Sequence, residues 1–202
     1  DDLQSWLEIL RQVLALRRQG KNRLGLAITL NNIANCYEHL GEKQKALDYY
    51  GQSLASMPEA SNAFYTAATL TNIGALYADL GEHQKALDHF NQALQLRRTI
   101  GDRNGEAATL HQIARFERNR GNLTEARKHI EAALAAVESL RADVASQQLR
   151  ASFFASVRRY HEFYQSLLME LHRQHPAYGF DALALAASPK PESFSIPPGV
   201  EA

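Results

Sequence analysis

The sequence predicts an all-α fold built from repeated antiparallel helix pairs. Two observations carry this: an internal repeat that needs no gap, and apolar residues at helical spacing punctuated by glycine. Ala27-Ile28-Thr29-Leu30 recurs as Ala67-Ala68-Thr69-Leu70 and as Ala107-Ala108-Thr109-Leu110, a period of 40. The same offset links Ile33, Ile73 and Ile113, then Gly41, Gly81 and Gly121, then Ala46, Ala86 and Ala126, then Leu54, Leu94 and Leu134. Fixed-period self-similarity over three copies is the mark of a repeat architecture. Within the first copy, Leu30, Ile33, Ala34 and Tyr37 fall at i, i+3, i+4 and i+7, one face of a helix. Gly41 suits the left-handed position just past that helix. Ala46, Leu47, Tyr50, Ser53 and Leu54 form the face of a second helix, and the second copy repeats the pattern through Leu70, Ile73, Gly74, Tyr77, Ala86, Phe90, Ala93 and Leu94. Small residues at 34, 74 and 114 and at 46, 86 and 126 let paired helices approach closely, with Tyr37 and Tyr77 filling the adjacent space. The third copy departs: Glu117 stands in place of the tyrosine and Arg127 in place of Leu47 and Leu87.

Composition narrows the function classes. With 45% hydrophobic and 22% charged residues, the chain can bury a continuous core. Lys+Arg and Asp+Glu both number 22, so the basic excess expected of a nucleic-acid binder is missing. No apolar run approaches the ~20 residues of a membrane helix. The single cysteine, Cys36, cannot form an internal disulfide, which points to the cytoplasm. The start, Asp1-Asp2-Leu3-Gln4-Ser5-Trp6, has neither the basic and apolar segments of a signal peptide nor an initiator Met, and reads as part of a longer chain.

The order small residue, aromatic, glycine, alanine, aromatic resembles the tetratricopeptide repeat (TPR). The usual unit is about 34 residues; the longer spacing here resembles the variant of kinesin light chains and bacterial signalling TPR proteins. The extra length is expected between repeats, as in Arg97-Arg98-Thr99-Ile100-Gly101-Asp102-Arg103-Asn104-Gly105-Glu106. Leu16-Arg17-Arg18 and Arg23-x-Gly25 match Leu96-Arg97-Arg98 and Arg103-x-Gly105, so residues 3–19 read as the second helix of a truncated repeat. The resemblance implies a right-handed superhelical solenoid of antiparallel helix pairs with a longer C-terminal helix. Residues 1–136 form the array (partial repeat 3–26, full repeats 27–66, 67–106 and 107–136), residues 137–187 a helical cap or junction, and 188–202 a Pro-rich tail.

In the junction, Leu149, Phe153, Val157, Tyr160, Tyr164, Leu167, Leu168 and Leu171 make a helical stripe. The runs Leu149–Tyr160 and Leu167–His172, followed by Pro176, Gly179 and Ala182-Leu183-Ala184-Leu185, resemble the junction that precedes the caspase-like CHAT domain of bacterial TPR-CHAT proteins. The acidic and arginine-rich helix of that family is replaced by Ala187-Ser188-Pro189-Lys190-Pro191, so no proteolytic activity carries over. The tail, with prolines at 189, 191, 197 and 198, reads as extended, with groove docking as the alternative.

In TPR proteins the first helix of each pair lines a concave face. The stripe 28, 31, 32, 35, 38 and 39 lies beside the core stripe on that helix. The family's backbone-binding asparagine maps onto Asn32 and Asn72, and onto Gln112 with the amide kept. An amide has both donors and an acceptor, so a ladder of amides could hold an extended peptide without reading its sequence. The neighbours would read it: Asn31, Asn35, Glu38 and His39 in the first copy, Thr71, Ala75 and Asp79 in the second, His111, Arg115, Arg118 and Asn119 in the third. Arg115 and Arg118, i and i+3, form a candidate clamp for an acidic group. The alternative is that these are solvated helix residues.

No Walker loop, dinucleotide fingerprint or serine elbow is present. His172 and His175 have chelating spacing without supporting Cys or Asp, and fit a helix C-terminus better. Cys36 reads as a small buried hydrophobe. The sequence thus points to a non-enzymatic module, without cofactor or metal, that binds a protein or peptide and neither nucleic acid nor membrane. The alternative is a self-assembling scaffold, in which Leu7, Leu10, Val13 and Leu14 would be exposed at the truncated end and stack.

Overall fold

The computed structural model describes residues 2–58, 62–140 and 147–174, with the side chains of 147–153 left aside. The described residues hold α1 (Asp2–Gln19), α2 (Arg23–His39), α3 (Lys43–Ser56), α4 (Ala63–Asp79), α5 (His83–Thr99), α6 (Arg103–Asn119), α7 (Leu123–Glu138) and α8 (Gln147–Gln174), and no strand. The fold class is therefore all-α helical repeat. The helix pairs begin four residues ahead of the boundaries read at 27, 67 and 107, at Arg23, Ala63 and Arg103. The tail 188–202, His175, and the junction residues Pro176, Gly179 and Ala182–Leu185 lie outside the described residues.

The chain divides into two compact units, residues 1–109 and 110–202. In the first, α2 packs along α3 and α4 along α5, while α1 covers one side of α2. The predicted stripes form the core: Leu30, Ile33, Ala34, Tyr37, Ala46, Tyr50 and Ser53 are all buried, as are Leu70, Ile73, Gly74, Ala86, Phe90 and Ala93. Leu7, Leu10 and Leu14 join that core rather than an open surface, because α1 turns them onto α2. The exposed apolar residues of α1 are instead Trp6, Ile9 and Leu16.

The turns repeat as faithfully as the helices. Gly41 has φ 76°, with its N–H donating to Glu38 O while the N–H of Glu42 donates to Tyr37 O, both at 2.9 Å. These two bonds are a Schellman motif, which needs the left-handed residue that glycine supplies without a Cβ clash. The motif recurs at Gly81, Gly101 and Gly121. At Gly101 the motif lies within the extra length between repeats, most of which is helix, with α5 running to Thr99 and α6 starting at Arg103. Arg97 Nη1 meets Asp102 Oδ2 at 2.6 Å, Arg98 Nε meets Glu106 Oε1 at 2.6 Å, and Asp102 Oδ1 accepts from the Gly105 N–H at 2.9 Å. A Cβ on Gly105 would stand 1.5 Å from Arg97 Nη1, and one on Gly25 1.6 Å from Arg17 Nη1. The paired Arg-x-Gly and Leu-x-Leu-Arg-Arg motifs therefore mark one joint, an arginine laid over the first turn of the next helix.

In the second unit α8 packs on α7. Val157, Tyr160, Tyr164, Leu167, Leu168 and Leu171 are buried, as the junction stripe requires, and so are Leu123, Ala126, Ile130 and Ala133 of α7. No helix among the described residues is long and apolar enough to cross a membrane.

Helix pairing sets opposite expectations for two glycines. A Cβ at Gly74 would lie 2.7 Å from the ring of Phe90, whereas one at Gly51, in the middle of α3, meets nothing within 4 Å. Gly74→Ala is expected to cost about 1–3 kcal/mol through overpacking, and Gly51→Ala to gain about 0.5–1 kcal/mol from helix propensity, both read by urea denaturation.

Candidate peptide-binding face

Among the partly or fully exposed residues of α2 and α4, two equivalent stripes stand one period apart: Leu24, Ile28, Asn32, Asn35 and His39 on the first, Phe64, Ala68, Asn72, Ala75 and Asp79 on the second. Asn32 is half-buried and makes no side-chain hydrogen bond among the described residues, so its amide is available. Asn72 is half-buried and donates from Nδ2 to Asn35 Oδ1 at 3.2 Å. Asp79 is exposed, and its main-chain oxygen accepts from Lys43 Nζ at 3.0 Å.

Besides Asn72, the candidate asparagines Asn31 and Asn35 are also engaged between helices. Asn31 Oδ1 accepts from Thr69 Oγ1 at 3.0 Å, and one period later Thr71 Oγ1 meets Thr109 Oγ1 at 3.0 Å. The position two residues past the conserved-spacing threonine thus ties each first helix to the next. Asn35 accepts from Asn72 and from the hydroxyl of Tyr50, which also lies 2.7 Å from Glu38 Oε2. Tyr50 is fully buried, and burial, then the bond to Glu38, pushes its phenol well above the ordinary value. It therefore stays protonated and fixes Asn35 and Glu38 from below.

The sequence reading did not single out Phe64 and Tyr65. They are 52% and 37% exposed, stand edge to face with centroids 5.4 Å apart, and open α4. They precede the repeating Ala-Ala-Thr-Leu block, so periodicity gives no reason to select them; two adjacent aromatics in the first turn of a helix are the available signal.

In the second unit the third copy's candidates take different partners. Gln112 is half-buried and accepts from Arg115 Nη1 at 3.1 Å, and Arg115 is exposed. Arg118 turns to α8: Nε meets Glu170 Oε2 at 2.8 Å, Nη1 donates to Ser166 Oγ at 2.9 Å, and the guanidinium lies 5.4 Å from the Phe163 ring centroid. The expected Arg115–Arg118 clamp is therefore split, because a carboxylate within the chain already satisfies Arg118. His111 is buried between Tyr160 (4.9 Å) and Phe163 (5.1 Å). Burial, with Arg115 and Arg159 nearby, holds it near pKa 4, so it is neutral at pH 7. Glu131 accepts from the Tyr164 hydroxyl and pairs with Arg127 at 2.7 Å. These contacts account for much of the third copy's irregularity: His111, Arg118 and Glu131 replace Thr71, Ala78 and Asn91, and all three contact α8, His111 through its ring and the other two through hydrogen bonds.

Comparison with known proteins agrees with the helix-pair geometry. A model described as tetratricopeptide repeat matches residues 2–59 and 65–139. The chain belongs to the tetratricopeptide repeat family. Among solved structures, this TPR chain is similar to BtubC (BKLC) from P. vanneervenii, with a TM-score of 0.72 and 15% identity over 100% of this chain and 79% of that one. It is also similar to a Podosopora anserina protein described as a kinesin light chain with nearly identical TPR-like repeats, with a TM-score of 0.59 and 17% identity over 92% of this chain and 87% of that one. At these identities the likeness shows the fold. A search of curated proteins found no match. TPR repeats are generally protein–protein interaction modules and typically non-catalytic scaffolds.

The His111 site gives a pH expectation. Its folded pKa of about 4 lies below the ordinary 6.5, so between those values the unfolded chain binds a proton that the folded chain does not. Stability then falls as pH drops from 7 to 4, by on the order of 3 kcal/mol at most from this group. Urea denaturation across that range should show the slope in the wild type and a reduced slope in His111→Phe.

Proposed function

We propose that this TPR module binds an extended peptide or protein segment across the stripes of α2 and α4. The observation that carries the reading is the pair of amides at one register: among the described residues Asn32 makes no side-chain hydrogen bond, and Asn72 uses only its Nδ2. An extended strand needs donors and acceptors for its peptide groups, and these amides supply both. Phe64 at one end offers apolar contact, and Asp79 at the other favours a basic or amino group. Asn31 and Asn35 support the stripe by fixing the helices that carry it. Taken by itself, the second unit offers Gln112 and Arg115, an amide and a guanidinium suited to an acidic group, while His111 and Arg118 position α8. The junction's resemblance to TPR-CHAT proteins supports a role in controlling a caspase-like effector. The single cysteine supports a reducing, cytoplasmic setting.

A peptide-display selection on the full chain, followed by fluorescence anisotropy with a selected peptide, tests this. Asn32→Ala/Asn72→Ala should weaken binding by about 10–100-fold, the loss of two hydrogen-bonding amides, with Gln84→Ala on the exposed side of α5 as the unchanged control. Equal binding by wild type and the double variant would exclude this face.

A further inference from the structure

The first copy carries a polar cluster that the repeat itself does not require. The hydroxyl of fully buried Tyr50 lies between Asn35 and Glu38, and Asn72 closes the cluster from α4. One period later the same register holds Ala75, Ala78 and Phe90, and Phe90 fills its place with 1% exposure. An apolar set therefore packs this part of a helix pair equally closely. Burying a hydroxyl beside a carboxylate costs solvation that the copy with Phe90 avoids. The cluster is an addition to the repeat, and its Asn35 and Asn72 lie on the α2–α4 stripes.

Its donors do not match its acceptors. Tyr50 has one hydroxyl proton for two neighbours, Asn35 Oδ1 and Glu38 Oε2. Glu38 is half-buried; among the described residues it accepts a hydrogen bond from Tyr50 alone, at 2.7 Å, and pairs with no cation. Lys43 is engaged with Asp79 O, and Arg11 with Tyr37 and Glu8. A carboxylate has about four acceptor sites, so Glu38 is a fixed negative charge with most of its lone pairs open. Its chemical complement is an ammonium or guanidinium, and partial burial strengthens such a pair by reducing the screening around it. In the third copy the same register holds Arg118, which meets Glu170 of α8 at 2.8 Å, so a charge at this position can reach an element outside its own helix pair. We propose that Glu38 is the specificity-determining residue of the α2–α4 face and receives a lysine or arginine side chain of the bound segment, with Tyr50 as the positioning residue that holds the carboxylate. This rests on the reading of α2–α4 as a peptide-binding face.

The test selects peptides on the full chain from a random dodecamer library and measures synthetic versions by fluorescence anisotropy. Selected sequences should share a lysine or arginine at one position, and norleucine in its place should weaken binding by about 10-fold. Glu38→Gln should weaken the basic peptide by the same factor and leave the norleucine version unchanged. Tyr50→Phe, for which Phe90 is the precedent in the fold, should also act on the basic peptide alone, and Glu38→Lys should regain affinity when the peptide carries glutamate at that position. Peptides that need Asn32 and Asn72 but lack the basic residue, or bind wild type and Glu38→Gln equally, would overturn the role of Glu38 and leave the face standing. Peptides indifferent to Asn32→Ala/Asn72→Ala and to Glu38→Gln alike would overturn the face as well, and a library that yields no binder would count against both.

Discussion

Close approach within each helix pair is the constraint from which the organisation follows. Two helices can pack at backbone distance only where side chains are small, and Ala34, Gly74 and Ala114 on the first helices and Ala46, Ala86 and Ala126 on the second are all buried. The large residues beside them, Tyr50, Phe90 and Ile130, then fill the remaining space with almost no exposure. Dense packing leaves little tolerance for volume change, which is why the ring of Phe90 lies where a Gly74 methyl would go. Fixing the pair geometry fixes which stripe of each first helix remains open.

A second constraint acts between neighbouring first helices. Asn31 to Thr69 and Thr71 to Thr109 repeat one bond a period apart. In the second unit the residue of the same rank, His111, meets the rings of Tyr160 and Phe163 on α8 instead. The third copy has exchanged repeat-to-repeat polar contacts for contacts to a longer helix, through aromatic packing, one partly buried ion pair and a tyrosine–carboxylate bond. Partners of this kind are costly to remove singly, because the one left behind stays buried without its mate.

The fold was legible because its physics is periodic. Spacing of Leu30, Ile33, Ala34 and Tyr37 placed the core, and Gly41 placed the turn. The expectation failed where a residue's neighbour was not periodic. Leu7, Leu10 and Leu14 read as exposed on a truncated repeat, yet α2 covers them. Arg97–Glu106 reads only as extra length between repeats, because its ion pairs and Schellman turn join residues 3–8 apart, below the scale of the repeat. Amides at Asn32 and Asn72 were recognisable by register, whereas the engagement of Asn31 and Asn35 depends on Thr69 and Tyr50, and that of Arg118 on Glu170, far along the chain. Phe64 lies outside the repeating block altogether.

The central claim is that the α2–α4 stripe is where another chain is held. Site-specific photocross-linking tests it directly, with a photoreactive residue placed at Ala68 on the stripe or at Gln84 on α5, in a chain offered the display-selected peptide. The account expects peptide adducts from position 68 and none from position 84. Adducts from 84 with none from 68 would contradict it.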